Sequence, residues 1–311
     1  MKAAVITRFG QIGDVVEVRD VPVPVVGPRD VLIEVRAAGV NPVDCLMVKG
    51  FMASAELTQM RVLGSEVAGV VTAAGDEVTR FSVGEEVFAR VDPRVGGAFA
   101  EYVAVHEELV AAKPASLSFE EAAGLPLVAL TAWQALTEQA EVGAGTRVLV
   151  HGGAGGVGSA AVQIAKHLGA EAIATASADG VELVRELGAD QVIDYRAEKF
   201  DELLSGVDVV LDTIGGDTQE RSFRVLRSGG TLVSIVPIAD VEAKKAQWGV
   251  QARSFFMRPN GEQLARLAAL VESRELRLIV ETVFPLDRTS EALLKVERGG
   301  ARGKTVITVR S

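Results

Sequence analysis

Cysteine is nearly missing from this chain of 311 residues, where Cys45 stands alone. A lone cysteine excludes an intrachain disulfide, and it leaves a structural zinc lobe, built from several clustered thiolates, without its ligands. It fits a reducing compartment. Tyrosine is scarce too, with Tyr102 and Tyr195 alone, and the three histidines, His106, His151 and His167, lack metal-ligand spacing. Positive charge is outnumbered, 32 lysines and arginines against 42 acidic residues, for a net charge of −10. No basic stripe runs along the chain, which argues against a nucleic-acid partner, since such partners are met by clustered positive charge. No apolar run is long enough to span a bilayer, and Met1-Lys2-Ala3-Ala4-Val5-Ile6 alternates into a strand where a signal peptide would need an apolar block. These absences predict a soluble protein of the cytoplasm, engaged with neither membrane nor nucleic acid.

What is present in quantity is apolar side chain, 48% of the residues, ample for a core. The length exceeds a typical single domain, so two cores are expected. The most informative stretch is Gly153-Ala154-Gly155-Gly156-Val157-Gly158, set between an apolar run at 147–151 and a helix-like segment at 159–167. In that strand-turn-helix setting G-x-G-x-x-G reads as a dinucleotide-binding turn. The first glycine permits a tight turn, the second lets the backbone approach a pyrophosphate, the third allows close helix packing, and the helix N-terminus meets the phosphate charge.

Up to about residue 114 the chain reads as short strands punctuated by Gly, Pro and Asp, at 3–7, 15–18, 31–38, 66–73, 86–89 and 100–105, a barrel-like β domain. Ser118 and Glu121 form a predicted capping box, and a second apolar helix is expected over 129–138. From residue 147 strands and helices alternate, with near-continuous apolar strands such as 207–212 and a last strand at 231–236, which predicts a buried parallel sheet. A helix over 262–272 and a strand over 304–309 are expected to rejoin the first domain. The boundaries drawn are 1–122, 123–255 and 256–311.

Several stretches together resemble the medium-chain dehydrogenase/reductase superfamily, and within it the zinc-free quinone oxidoreductases and enone reductases. They are Ala37-Ala38-Gly39-Val40-Asn41-Pro42-Val43-Asp44, Leu63-Gly64-Ser65-Glu66-Val67-Ala68-Gly69, Gly97-Ala98-Phe99-Ala100-Glu101-Tyr102, the segment at 125–133, the glycine turn, and Gly299-Gly300-Ala301-Arg302-Gly303-Lys304. The resemblance covers essentially the whole chain. It implies an α/β fold in which a GroES-like β-barrel substrate domain is interrupted by a Rossmann domain with a doubly wound parallel sheet, the active site lying in the cleft between them.

Zinc-dependent members of the superfamily place a cysteine where this chain has Asn41 and a histidine where it has Ser65. Neither ligand type is present, so no metal is expected, although Cys45 beside Glu66 is left as a candidate pair against its reading as a small core residue. Chemistry that does without a Lewis acid is then preferred. Hydride addition to a quinone or an α,β-unsaturated carbonyl spreads charge over a conjugated system that hydrogen bonds can stabilise.

The second strand of the predicted parallel sheet ends Thr175-Ala176-Ser177 without the carboxylate that grips ribose hydroxyls in NAD-specific folds. NADPH is therefore the expected cofactor, with Ser177, Tyr195 and Arg196 at its 2′-phosphate. Asp179 competes for the ribose or else serves as a helix N-cap. Relatives commonly carry a basic residue near Gly180, and here it is glycine. The resemblance also assigns Asn41 and Asp44 to a loop facing the nicotinamide and Thr131 to a helix beneath it. Thr213 and Val236 stand at strand ends on the carboxyl edge of the sheet, where doubly wound folds bind ligands. Phe256 with Leu46, Phe51 and Phe255 is expected to wall the cleft, with core packing the alternative for Phe255 and Phe256. The plain alternative for Asn41 and Asp44 is that they shape the turn at Pro42. No tyrosine follows the Asn41 segment, so water is the expected proton source.

The expected protein is a zinc-independent NADPH-dependent oxidoreductase acting on small hydrophobic quinones or enones, as a homodimer paired through the strand at 231–236. The alternatives are a zinc-dependent alcohol dehydrogenase-like enzyme and an NADPH-binding sensor with little turnover.

Overall fold

The computed structural model describes residues 1–51, 57 and 59–310. Eight strands lead the chain: β1 (Lys2–Ile6), β2 (Glu17–Asp20), β3 (Asp30–Val40), β4 (Arg61–Val62), β5 (Glu66–Ala74), β6 (Glu86–Arg90), β7 (Tyr102–His106) and β8 (Val110–Ala112). Six follow: β9 (Arg147–Val150), β10 (Glu171–Ala176), β11 (Gln191–Asp194), β12 (Val207–Asp212), β13 (Leu226–Ser234) and β14 (Gln251–Ser254). The chain closes with β15 (Val280–Pro285) and β16 (Lys304–Thr308). It divides into two compact units. Unit 1 is Met1–Leu127, Arg258–Arg274 and Leu278–Ser311, and unit 2 is Val128–Met257 with Glu275–Arg277.

Unit 1 is organised by β3, whose alternating burial gives way to a fully buried end at Ala38, Gly39 and Val40. Along one edge β3 pairs antiparallel with β5; along the other it meets β7 near its start and β16 near its end. The full order is β15-β16-β3-β5-β6-β8, with β2-β1-β4 as a separate small sheet. Val31, Ile33 and Val35, on the inward face of β3, pack with Val67, Val71, Val87 and Phe99 in one apolar core. At the buried end of β3 the registers matter most: Val40 opposes Thr305, Ala38 opposes Val67, and Glu66 opposes Arg90. Four strand ends thus deliver Asn41, Glu66, Arg90 and Lys304 to one place.

Unit 2 is a parallel sheet of order β11-β10-β9-β12-β13-β14. The order reverses direction between β9 and β12, and open α/β sheets bind ligands at the carboxyl ends flanking such a switch point. The helix Gly156–His167 starts there, directly after β9. Leu149, Ile173, Val210 and Leu232 from four neighbouring strands pack with Phe200 and Phe223 to form this unit's core.

The local readings fare unevenly. The Ser118–Glu121 capping box is present, with Glu121 N–H donating to Ser118 Oγ at 3.2 Å and Ser118 N–H to Glu121 Oε2 at 2.9 Å. The strand expected at 15–18 instead holds the end of a short helix, Ile12–Val15, and β2 starts at Glu17. The helix expected over 129–138 starts earlier, at Pro126, and widens to a π-helical turn at Ala135–Gln139. The strand at 231–236 is not the sheet's last: β13 starts at Leu226 and lies between β12 and β14, so it has no open edge for a second chain. β14 escaped the reading because it is short and mostly exposed, without an apolar run. Among the described residues no helix is long and apolar enough to cross a membrane.

Candidate active site

Asn41 and Asp44 lie at the start of a short helix, Pro42–Val48, and not in the loop expected for them. Asn41 is the N-cap and Pro42 supplies the fixed φ favoured at the first helical position. Asp44 closes the first turn by accepting the Asn41 backbone N–H on Oδ2 at 2.8 Å, and its Oδ1 accepts Ser65 Oγ–H at 2.9 Å. Burial drives its carboxyl up to about 6, against the pull of the Arg90 guanidinium and the Ser65 hydrogen bond.

The Asn41 side chain faces the other way, toward charge. Its Nδ2 donates to Glu66 Oε1 at 2.8 Å, and its Oδ1 accepts from Lys304 Nζ at 2.5 Å. Lys304 also donates to Glu66 Oε1 at 2.6 Å and to the Val40 carbonyl at 3.2 Å. Glu66 is fully buried, and its second oxygen accepts the Leu127 backbone N–H at 2.7 Å. Arg90, equally buried, donates from Nη1 to the carbonyls of Ser65 at 2.5 Å and Val91 at 2.8 Å, while its Nε and Nη2 have no partner among the described residues. Two acids and two bases thus neutralise one another inside unit 1. Lys304 and Arg90 are the site residues that sequence reasoning passed over. Arg90 left a signal, a charge at an inward position of an apolar strand; Lys304 left only its place in the Gly299–Lys304 motif.

This donor set does not fit zinc. Among the described residues no group of three histidine, cysteine or acidic side chains is placed to hold a metal. Cys45, the candidate ligand beside Glu66, turns away and its thiol donates to Leu293 O at 3.4 Å; burial holds it protonated, with a pKa pushed up to about 12. The centre that would receive the ion already holds the Lys304 ammonium.

In unit 2 the glycine turn takes a form slightly different from its textual reading. The left-handed residue is Gly152, with φ of 67°, one position before the motif. Gly153 donates its N–H to Thr175 O at 2.8 Å and packs against β10, and Ala154 is buried beside it. Gly155 is the N-cap, so Gly156, Val157 and Gly158 open the helix ahead of the first backbone bond, Ser159 N–H to Gly155 O at 2.8 Å. A side chain at Gly158 would meet Gly152 O at 2.1 Å, which is why only glycine lets helix and turn approach so closely. The N–H groups of Gly156, Val157 and Gly158, without a partner among the described residues at the start of a twelve-residue helix approached through glycine, fit a pyrophosphate.

Around that turn the carboxyl ends of β10 to β13 carry Ser177, Tyr195, Arg196, Thr213 and Val236, whereas Phe256 follows β14 and Thr131 lies in a helix ahead of the sheet. Ala176 pairs with Asp194, and Tyr195 N–H donates to Ala176 O at 3.1 Å, so Ser177, Tyr195 and Arg196 occupy adjoining strand tips. Ser177, not Asp179, is the N-cap of the helix Ala178–Glu186, and its hydroxyl makes no capping bond. Asp179 is an exposed first-turn residue. Gly180 has a packing reason of its own, since a Cβ there would lie 2.7 Å from the Ala154 Cβ. Arg196 lies over the Tyr195 ring, 5.9 Å from its centroid. Thr213 Oγ1 donates to His151 O at 2.8 Å, Val236 N–H donates to Ser234 Oγ at 3.1 Å, and Phe256 is exposed. Thr131 is buried in the helix Pro126–Gln134.

Beneath these tips His151 is fully buried between Thr175 Oγ1 at 3.1 Å and Ser222 Oγ at 2.8 Å, with its ring edge-on to Phe200. Burial depresses its pKa to about 4 despite nearby Asp212, so it is a neutral structural histidine. Asp212 accepts the N–H groups of Ile214 and Gly215 on one oxygen, and Gln219 and Ser234 on the other.

Comparison with known proteins bears on this arrangement. The family described as Alcohol dehydrogenase GroES-like domain matches residues 27–115, and the family described as Zinc-binding dehydrogenase matches residues 187–307. The mouse protein named NAD(P)H oxidoreductase RTN4IP1, mitochondrial, is 37% identical over 99% of this chain and 89% of its own length. NADPH-dependent alkenal/one oxidoreductase, chloroplastic, of Arabidopsis thaliana is also 37% identical, over 99% of this chain and 79% of its own. The solved quinone oxidoreductase of Coxiella burnetii superposes with a TM-score of 0.91 at 34% identity, covering 100% of this chain and 99% of that one. These names overturn the expected cytoplasmic setting, because relatives of such similarity are named for mitochondria and chloroplasts. A lone buried cysteine suits any reducing interior and does not separate one such compartment from another.

Proposed function

The chain belongs to the medium-chain dehydrogenase/reductase superfamily, in its zinc-free quinone oxidoreductase-like branch, and from that premise we propose that it reduces quinones or α,β-unsaturated carbonyls with NADPH. The observation that carries the cofactor choice is the tip of β10: it ends Thr175-Ala176-Ser177, a neutral tip whose Ser177 hydroxyl is not spent on its own helix. A carboxylate there would repel a 2′-phosphate; a hydroxyl, with Tyr195 and the Arg196 guanidinium on the adjoining tip, accepts one.

When bound, the reduced nicotinamide supplies the hydride. Gly156, Val157 and Gly158 would hold the pyrophosphate by backbone N–H, with Gly155 as the N-cap whose own N–H is spent on Gly152 O, and Thr213 and Val236 would hold the nicotinamide half from the ends of β12 and β13. Thr131 and Phe256 complete its surroundings. In unit 1, Asn41 spends one Nδ2 hydrogen on Glu66 and keeps the second for an acceptor's carbonyl oxygen, where negative charge develops. Asp44 holds Asn41 in place through its backbone N–H. Neither tyrosine serves as the acid: Tyr102 is tied to Arg310 and Tyr195 stands at the β11 tip, so the proton comes from water. We further propose a homodimer in which β14, whose outer edge is unpaired among the described residues, is the pairing strand.

The test is NADPH oxidation across a panel of quinones, enals and saturated aldehydes. Turnover is expected with the conjugated acceptors and not with the saturated ones. Tight NADPH binding without turnover on any acceptor would replace this reading with that of a sensor.

A further inference from the structure

The name of the family matched by residues 187–307 and the donor set of unit 1 disagree over zinc, and Lys304 explains the disagreement. We infer that Lys304 is the resident cation of the centre: its ammonium fills the oxygen cradle of Val40 O, Asn41 Oδ1 and Glu66 Oε1, and so holds the Asn41 amide in a single orientation.

An ammonium has three hydrogens to donate and no acceptor, and here all three meet oxygens, at 3.2, 2.5 and 2.6 Å. The residue is 4% exposed, so water does not compete for them. It comes to the cradle through the antiparallel pairing of β16 with β3, where Thr305 opposes Val40 and Lys304 therefore opposes Asn41. A divalent ion in the same cradle would face this ammonium at bonding distance, with only oxygen donors and neither thiolate nor imidazole to recommend it. Arg90 adds a second buried positive charge on the far side of Ser65.

The same contacts decide how Asn41 points. Lys304 only donates and ionised Glu66 only accepts, so turning the amide over would set N–H₂ against ammonium and carbonyl against carboxylate. The orientation that survives sends Nδ2 to Glu66 and leaves its other hydrogen for an acceptor. Lys304 is thus a positioning residue acting through Asn41. The positioning claim rests on the reductase reading above; the claim to be the resident cation does not.

The experiment uses the purified full chain. After incubation with zinc and dialysis, the unaltered protein is expected to retain no stoichiometric zinc by mass spectrometry, and one firmly held zinc per chain would overturn the inference. Lys304→Ala removes a fragment matching propylammonium. That compound is expected to bind the variant saturably and raise its Tm while leaving the parent's Tm unmoved; no saturable effect, with the variant folded, would count against a cation cradle. Lys304→Met, similar in bulk and uncharged, is expected to lower kcat at least about tenfold with NADPH affinity unchanged. Unchanged kcat in a folded Lys304→Met would overturn the positioning role. If Lys304→Ala or Lys304→Met does not fold, the zinc measurement on the parent still decides the resident-cation claim, and failure of every acceptor to turn over bears on the reductase reading alone.

Discussion

The two units bury polar groups in opposite ways. Unit 1 balances its charges internally: Glu66 and Asp44 against Lys304 and Arg90, all nearly or fully inaccessible to water. Unit 2 keeps its buried network largely neutral and lets backbone carry the polarity: His151 sits uncharged between two hydroxyls, and the one buried acid, Asp212, is satisfied by two backbone N–H groups, an amide and a hydroxyl. The difference teaches what each unit lacks. Unit 1 carries its own buried cations, Lys304 and Arg90, whereas unit 2 offers to the proposed dinucleotide the N–H groups of Gly156, Val157 and Gly158, without partners among the described residues, and the Arg196 guanidinium.

Altering a charge in unit 1 should therefore cost more than altering a polar group in unit 2. Glu66→Gln keeps the shape and leaves Lys304 without its counter-charge; removing one partner of a buried pair costs about 3–5 kcal/mol, to be read from urea denaturation. NADPH affinity should stay within about twofold of the parent, because the change lies wholly in unit 1. A Glu66→Gln protein as stable as the parent would dissolve the contrast between the units.

The two networks also respond to pH with opposite sign. His151 has a folded pKa depressed from 6.5 to about 4, so its contribution is present above the unfolded value and is lost as pH falls from about 6.5 to about 4. Over that window the parent should lose about 3 kcal/mol that His151→Gln, with no proton to gain, does not lose. Asp44 has a folded pKa raised from 3.8 to about 6, so its contribution is full at acid pH and is lost as pH rises through about 6. Denaturation of parent and variant across this range checks both signs.

A smaller effect sharpens the comparison from the side of unit 2. Arg196→Ala should weaken NADPH binding by about 10- to 150-fold and leave NADH unchanged, since a charge-assisted hydrogen bond to phosphate is worth about 1.5–3 kcal/mol. Equal losses for both cofactors, measured by fluorescence titration, would move the 2′-phosphate away from the β11 tip.

Unit 2 was the more legible half of the chain. Its glycine turn, its apolar strands and the Ser118 capping box just before it are local patterns, and local patterns survive in a one-dimensional reading. Where local signals competed, the reading slipped: Asp179 was a plausible N-cap, yet Ser177 two positions earlier took the role. Unit 1 was legible as strands and as the loss of two metal ligands, but not as a charge centre. Lys304 is 263 residues from Asn41, and Arg90 meets Ser65 only because β5 and β6 share a register. No spacing along the chain records such encounters; they follow from how β16 returns to pair with β3.

The central claim, reduction with NADPH by a chain that supplies its own cation, is tested most directly by chelation. The purified protein, stripped with a strong zinc chelator and analysed for metal, is assayed for NADPH oxidation on a quinone and an enal. Turnover equal to that of the untreated protein, with far less than one zinc per chain in both, is the predicted result. Turnover that disappears on stripping and returns with added zinc would contradict it.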